Sequence, residues 1–254
     1  MSPTIIGGLT LACVYGGALV GVFAGPFLPK PHLNAESRDA IKISIAMVGT
    51  VTALVLGLLI ASAKTSFDLK QTELKEAATK IILLDQTLRE YHAPDDGLRV
   101  FLRRSLLSRF HQLWPDAGME KLVPSALSER NSLEEFQERL LALAPGTDAQ
   151  RWLKEKALDI ASDMQAMRWR AVEQSGTEVQ WPFLVVLLFW LMMIFVSFGI
   201  FAPRNASVLA ALFVSSLSVA GAVYLFLDLD QPYSGPIRIS GGPLLMALKE
   251  IKKP

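Results

Sequence analysis

The amino-acid sequence predicts an all-α, polytopic membrane protein with four transmembrane helices and a cytoplasmic helical bundle inserted between spans two and three. Four uncharged stretches are each long enough to cross a bilayer. The charges are concentrated elsewhere, because residues 64–180 hold 17 of the 25 Lys and Arg and 19 of the 24 Asp and Glu. No stretch of useful length alternates apolar and polar residues as a half-buried strand would.

These patterns divide the chain into four predicted segments. Residues 1–63 contain transmembrane helices one and two, and residues 64–180 form the helical domain. Residues 181–227 form a transmembrane hairpin, and residues 228–254 form a C-terminal tail on the same side as the helical domain. The mean hydropathy of +0.35 agrees with such a division, since it is too high for an ordinary soluble domain.

The first stretch, residues 5–29, has no charge over 25 residues. Its N-terminal side lacks the basic residues of a cleaved signal peptide, so we expect a retained helix. Gly17, Gly21 and Gly25 recur at every fourth residue and therefore share one helical face. We expect a neighbouring helix to approach closely there.

The second stretch, residues 43–63, continues beyond the membrane as an apolar stripe at helical spacing that includes Phe67, Leu74 and Ile81. We therefore expect one helix of nearly fifty residues, which ends at residues 92–94 because proline disfavours helix at the preceding residue. Further along, Ser132 and Thr147 begin capping-box patterns that predict the starts of two more helices.

The last two stretches form the predicted hairpin. Its arms, residues 181–202 and 206–227, each have 22 residues and would be roughly 33 Å long as helices, slightly more than the hydrocarbon thickness. Pro203, Arg204 and Asn205 join them. A charge at the bilayer centre costs about 3 kcal/mol, which explains why both arms lack one.

The orientation is predicted from the basic residues that flank the spans. Four crossings place both termini and residues 64–180 on one side. Ten basic residues flank the spans on this side, namely Lys64, Lys70, Lys75, Lys80, Arg168, Arg170, Arg238, Lys249, Lys252 and Lys253. Four lie on the other side, namely Lys30, Arg38, Lys42 and Arg204. The richer side is expected to be the cytoplasm.

Three motifs lie in the hairpin and the turn after it: the tryptophan-bearing span WPFLVVLLFWLMMIF, the turn Ala-Pro-Arg-Asn, and the sequence DLDQPYSG. With these motifs, residues 181–248 resemble the signature region of the bestrophin-like family of bacterial four-span membrane proteins. The sequence ELKEAATKIILLD at residues 73–85 resembles the same family more loosely.

This resemblance implies a function by analogy with bestrophins, which are oligomeric anion channels with four spans and a cytosolic helical domain. The implied protein is a homo-oligomer in the bacterial inner membrane, with bilayer lipids and small inorganic ions as its partners. A competing function is a non-conducting scaffold or signalling protein whose residues 64–180 recruit a cytoplasmic partner. A ring of subunits around span two would favour the channel.

If the second span lines a pore, one of its faces is the best candidate. Lys42 and Lys64 are 22 residues apart and lie within about 40° of each other around a helix. The candidate pore-lining residues share this face and are Lys42, Gly49, Ala53, Leu56, Ile60 and Lys64. The lysines would form basic rings, and the two larger apolar residues a constriction that gates by dewetting. The alternative is ordinary helix packing, with lysines marking the membrane edges.

Asp228 and Asp230 are the most notable polar pair. Two carboxylates beside a Pro-Tyr-Ser-Gly turn could hold a cation, but side chains two residues apart on a helix diverge. We therefore favour a structural role, in which an acidic side chain fixes the turn.

The sequence offers no sign of enzymatic chemistry. His32, His92 and His111 are scattered, the single Cys13 lies in an apolar stretch, and phosphate-loop and HExxH patterns do not occur. We predict no catalytic residues, no metal site and no cofactor. The net charge of +1 argues against nucleic-acid binding.

Overall fold

The structure is a computed structural model that describes residues 2–27, 35–92, 97–114, 129–174 and 181–251. All regular secondary structure within these ranges is helical. In chain order the α-helices are α1 (Pro3–Ala24), α2 (Ala35–Tyr91), α3 (Gly97–Leu113), α4 (Glu129–Leu141), α5 (Asp148–Gln174), α6 (Trp181–Phe201), α7 (Ala206–Leu229) and α8 (Gly242–Ile251). The predictions that concern Lys30, His32, Pro94, Lys252 and Lys253 lie outside the described residues.

The chain divides into two compact units. Met1–Phe67 and Thr177–Arg238 form the first, which we call the apolar unit. Asp68–Gly176 and Ile239–Pro254 form the second, the helical unit. The helical unit is therefore built from two separate pieces of sequence, one before α6 and one after α7.

Four helical segments are long and apolar enough to cross a membrane: Pro3–Phe27, Arg38–Tyr91, Pro182–Phe201 and Ala206–Leu229. They differ in the share of their apolar stretch of 18 residues that is buried by the rest of the chain. The buried share is 39% in the first, 33% in the third and 22% in the fourth, but only 6% in the second. The apolar part of α2 is thus less buried by its own chain than the other three segments are.

Glycines bring α1 and α6 into backbone contact. A Cβ atom at Gly21 would collide with the carbonyl oxygen of Val196, and one at Gly199 would collide with the carbonyl oxygen of Ala18. A Cβ at Gly25 would lie 2.9 Å from the carbonyl oxygen of Ile200. The predicted close approach along the glycine face of α1 is confirmed, and α6 is the helix that makes it.

The predicted continuous helix after the second stretch is confirmed, because α2 runs without a break over 57 residues. It begins at Ala35, earlier than the predicted span, and ends at Tyr91. His92 follows with a φ of 49°, the left-handed conformation that commonly ends a helix.

The core of the helical unit is closed by the segment that follows α7. Trp114 donates a hydrogen bond of 3.0 Å from its indole Nε1 to the carbonyl oxygen of Ile239. Gly241 lies so close to Phe110 and Trp114 that a Cβ atom would be 2.7 Å from the Phe110 ring. The apolar face of α8, made of Leu244, Ala247, Leu248 and Ile251, is buried in the same unit.

One of the two predicted helix starts is confirmed. Thr147 precedes α5, and its hydroxyl oxygen accepts a hydrogen bond of 3.1 Å from the backbone N–H of Gln150. The Gln150 side chain accepts in return from the N–H of Gly146. The prediction for Ser132 was wrong, because α4 already begins at Glu129, so Ser132 lies inside the helix.

Replacing Gly21 by alanine should weaken the packing of α1 on α6. The new methyl group must push the two backbones apart, which costs roughly 1–3 kcal/mol. Gly16→Ala is the matched control on the same helix, because a Cβ there meets nothing within 4 Å. Thermal unfolding in detergent should show a lower melting temperature for Gly21→Ala alone, and equal melting of the two variants would contradict this packing.

Candidate functional site

The membrane part of α2 contacts its own chain along one side. Ala63 belongs to the apolar core of the first unit, and Ile45, Val55 and Leu59 are half-buried against that core. The hydroxyl of Thr52 on this side is used within the helix, since it donates to the carbonyl oxygen of Val48 at 2.7 Å. This side of α2 is therefore an ordinary helix-packing surface.

The six candidate pore-lining residues lie on the flank of this packing side. Leu56 and Ile60 are half-buried and pack against the apolar core. Ala53 is exposed. Gly49 is half-buried, but a Cβ atom at this position would meet nothing within 4 Å. The candidate face is therefore partly covered along its apolar centre.

Both lysines of the candidate face are exposed and lie near the ends of the span. Lys42 pairs with Asp39 at 3.4 Å, one turn earlier on the same helix. Lys64 lies with its ammonium 5.6 Å from the centroid of the Phe67 ring. An exposed ion pair of this kind holds the Lys42 side chain only weakly.

A second face of α2 is entirely uncovered. Ile43, Met47, Leu54 and Leu58 have exposed fractions of 71, 73, 71 and 69%. They lie within about 60° of one another around the helix, and we call them the outer ridge. A ridge of large apolar side chains in this position requires lipid or another protein surface as its neighbour.

Asp228 fixes the turn that follows α7. Its carboxylate is 1% exposed and accepts a hydrogen bond of 2.9 Å from the backbone N–H of Ile237. Gly235 has a φ of 86°, and a Cβ there would collide with the Asp228 carboxylate. The turn therefore needs glycine for two reasons, the left-handed backbone and the close approach of a buried acid.

Asp230 lies two residues after Asp228, at the C-terminal end of α7. It is the C-cap residue of α7, and its backbone N–H donates to the carbonyl oxygen of Phe226. Within the described residues, no group of three or more His, Cys, Asp or Glu side chains could hold a metal ion. The geometry thus gives the Asp228 carboxylate a structural partner, the backbone N–H of Ile237.

Arg204, in the turn between α6 and α7, contacts the end of another helix. Its guanidinium donates to the carbonyl oxygen of Val22 at 3.1 and 3.2 Å and to that of Phe23 at 3.2 Å. These carbonyls belong to the last turn of α1, where a positive charge is favoured by the helix dipole. Arg204 therefore joins the hairpin turn to α1, a partner that sequence spacing could not predict.

The comparisons with known proteins agree with the motifs of the hairpin. The model of the bestrophin-like domain matches residues 12–244. The chain belongs to the bestrophin-like family. This confirms the resemblance carried by residues 181–248 and extends it over most of the sequence.

Solved structures of a bacterial bestrophin homologue from Klebsiella pneumoniae are similar to this bestrophin-like chain. One variant has 14% identity and a TM-score of 0.68, covering 99% of this chain and 97% of that chain. A second variant has 14% identity and a TM-score of 0.64, covering 96% of each. A crystal structure of the homologue that was solved by zinc SAD phasing has 14% identity and a TM-score of 0.63, covering 96% of this chain and 96% of that chain. These likenesses show a shared fold. No curated protein matches the chain.

Sequence reasoning missed a buried ion network in the helical unit of this bestrophin-like protein. The carboxylate of Asp85 is almost fully buried and binds Arg89 at 2.7 Å and Arg99 at 3.0 Å. The spacing of four residues from Asp85 to Arg89 is a recognisable helical pair and could have been found. Arg99 comes from α3, so only the fold brings it there. Removing one partner would leave a buried charge uncompensated.

The helical unit also has an open cleft of about 530 Å³. Its lining residues come from the C-terminal ends of α2 and α8 and are Ile82, Gln86, Arg89, Glu90, His92 and Glu250. The Nδ1 atom of His92 lies 2.8 Å from the carbonyl oxygen of Glu90. Among the described residues that line it, none has a hydroxyl or thiol that His92 could activate as a nucleophile.

Replacing Gly235 by alanine should destabilise the apolar unit of this bestrophin-like protein by roughly 1–3 kcal/mol, because the methyl group meets the Asp228 carboxylate and the backbone becomes strained. Gly221→Ala on α7 is the matched control, since a Cβ there has open space. Thermal melting of both variants in detergent, with and without added calcium, checks the assignment. A calcium-dependent rise in the wild-type melting temperature that Asp228→Asn abolishes would instead make the pair a cation site.

Proposed function

We propose that this protein is an oligomeric ion channel of the bestrophin-like type, with a passive pore lined by α2. The observation that carries the proposal is the low burial of the apolar part of α2, since 6% of it is buried and its outer ridge is exposed. The other three apolar segments are covered to a greater extent by one another. A helix left open in this way is suited to a shared surface at the centre of a ring of identical chains.

The four-span topology is supported by a contact inside the helical unit. Trp114 precedes α6 and Ile239 follows α7, yet the two residues are joined by a hydrogen bond. This contact supports a topology in which α6 and α7 return the chain to the side from which it left. With both arms long enough to span the bilayer, we assign them as one transmembrane hairpin.

The distribution of basic residues predicts on which side of the membrane the helical unit lies. The excess of Lys and Arg beside the spans lies with the helical unit, which we place in the cytoplasm together with both termini. The membrane is then the bacterial inner membrane. This orientation puts Lys64 at the cytoplasmic end of the pore helix and Lys42 at the outer end.

Anions are the proposed cargo. Lys42 and Lys64 are exposed at the two ends of the α2 span, where rings of positive charge would raise the local concentration of anions. The apolar spans carry no mid-membrane charge of the kind that marks a coupling site in a transporter, which favours passive conduction. The activity is therefore conduction and involves no catalysis.

A scaffold or signalling role is the second candidate. The observation in its favour is the exposure of two tryptophans on α5, because Trp152 is 58% and Trp169 is 64% exposed. Exposed aromatic side chains of this size commonly serve as anchors in protein interfaces. A cytoplasmic partner bound there would give the helical unit a function without any conduction.

Ion flux from proteoliposomes separates these functions. We expect the wild-type protein to conduct chloride faster than potassium and faster than protein-free vesicles leak. Leu56→Ala combined with Ile60→Ala should raise chloride flux several-fold, because it widens the proposed apolar constriction.

Leu54→Ala combined with Leu58→Ala is the matched control, since these two leucines lie on the outer ridge of the same helix. It should leave flux unchanged. Increased flux in this control alone would move the pore to the outer ridge, and faster potassium flux would overturn the anion assignment. Absence of flux in all three proteins would overturn the channel and favour the scaffold.

A further inference from the structure

The segment that leaves α7 is attached at two points that lie very close together in sequence. The backbone N–H of Ile237 donates to the buried carboxylate of Asp228, an interaction inside the apolar unit. The carbonyl oxygen of Ile239 accepts from the indole of Trp114, an interaction inside the helical unit. Only Arg238 separates the two attachments along the chain.

The first attachment is made by several hydrogen bonds around Asp228. Asp228 accepts from Ile237 through its side chain, and its backbone carbonyl oxygen accepts from the N–H of Gln231 at 3.1 Å. The N–H of Ser234 donates to the carbonyl oxygen of Gln231 at 3.2 Å, which tightens the turn further. Because the Asp228 carboxylate is buried, breaking its bond would leave a buried charge with one donor fewer.

The second attachment is part of a larger docked segment. Ile239 is 2% exposed, and Gly241 rests against the stacked rings of Phe110 and Trp114, whose centroids are 5.2 Å apart. The buried face of α8 follows within a few residues. At its far end, the carbonyl oxygen of Glu250 lies 3.4 Å from a guanidinium nitrogen of Arg89, which also binds Asp85.

We propose that residues 237–239 act as a tether that couples the seating of the C-terminal segment 239–251 in the helical unit to the turn at the end of α7. The physical reason is the shortness of the link. The link from the Ile237 N–H to the Ile239 carbonyl contains the φ and ψ torsions of only three residues, so a displacement of Ile239 is passed to Ile237 once those torsions are used. Such coupling is reciprocal, and a change in either attachment must alter the other.

Hydrogen–deuterium exchange of the full-length protein in lipid nanodiscs tests the tether. Trp114→Phe keeps the ring stacked on Phe110 but removes the indole donor. We expect exchange in the peptide covering residues 231–238 to rise about fivefold, the factor that corresponds to one ordinary hydrogen bond. Trp152→Phe is the matched control, because Trp152 is exposed on α5, and it should leave this peptide unchanged.

The reverse direction gives a second, independent variant. Gly235→Ala disturbs the turn at Asp228, and we expect it to raise exchange across residues 242–251. If each variant speeds exchange only on its own side of Arg238, the tether is overturned. This readout does not depend on conduction, so failure of the tether and failure of the proposed channel are distinguishable.

Discussion

The hydrogen bond from Trp114 to Ile239 is the constraint on which the rest of the structure depends. It joins residues that lie 125 positions apart, before and after the pair of apolar helices α6 and α7. Because the indole N–H is buried, it requires an acceptor, and the chain after α7 supplies it. The core of the helical unit is therefore completed only by the piece of chain that follows α6 and α7. The packing of Gly241 on Phe110 and the burial of α8 belong to the same piece of chain.

The apolar unit is held together differently, because in lipid no hydrophobic driving force brings apolar side chains together, and close packing and hydrogen bonds must do so. Glycine contacts between α1 and α6 and the guanidinium of Arg204 on the last carbonyls of α1 hold these helices together. The apolar part of α2 has no such close glycine contact, since a Cβ atom at Gly49 or Gly57 would meet nothing within 4 Å. This contrast supports our proposal that α2 lies at a surface shared between subunits.

Much of this fold could be predicted from the sequence because its signals are local. Uncharged stretches predicted the apolar helices, the spacing of Gly17, Gly21 and Gly25 predicted a close helix contact, and the stripe after Phe67 predicted one continuous α2. The interactions that could not be predicted join distant residues: Trp114 with Ile239, Arg204 with Val22, and Asp85 with Arg99. Asp228 lies between these cases, because an acidic side chain before a Pro-Tyr-Ser-Gly turn indicated a structural lock, whereas its acceptor role toward Ile237 required the fold. The predicted start of α4 was wrong, because Ser132 is a residue type that commonly caps helices but lies inside α4.

The most direct test of this account is the sidedness of single cysteines in a Cys13→Ser background, labelled with a membrane-impermeant maleimide in intact cells. Trp152→Cys on α5 and Met246→Cys on α8 replace exposed side chains from the two separate pieces of the helical unit, and Ala206→Cys lies beside the turn between α6 and α7. The account predicts labelling of Ala206→Cys in intact cells, and of the other two only after permeabilisation. Labelling of Trp152→Cys and Met246→Cys from opposite sides would contradict it, because one core cannot be built from both sides of a membrane.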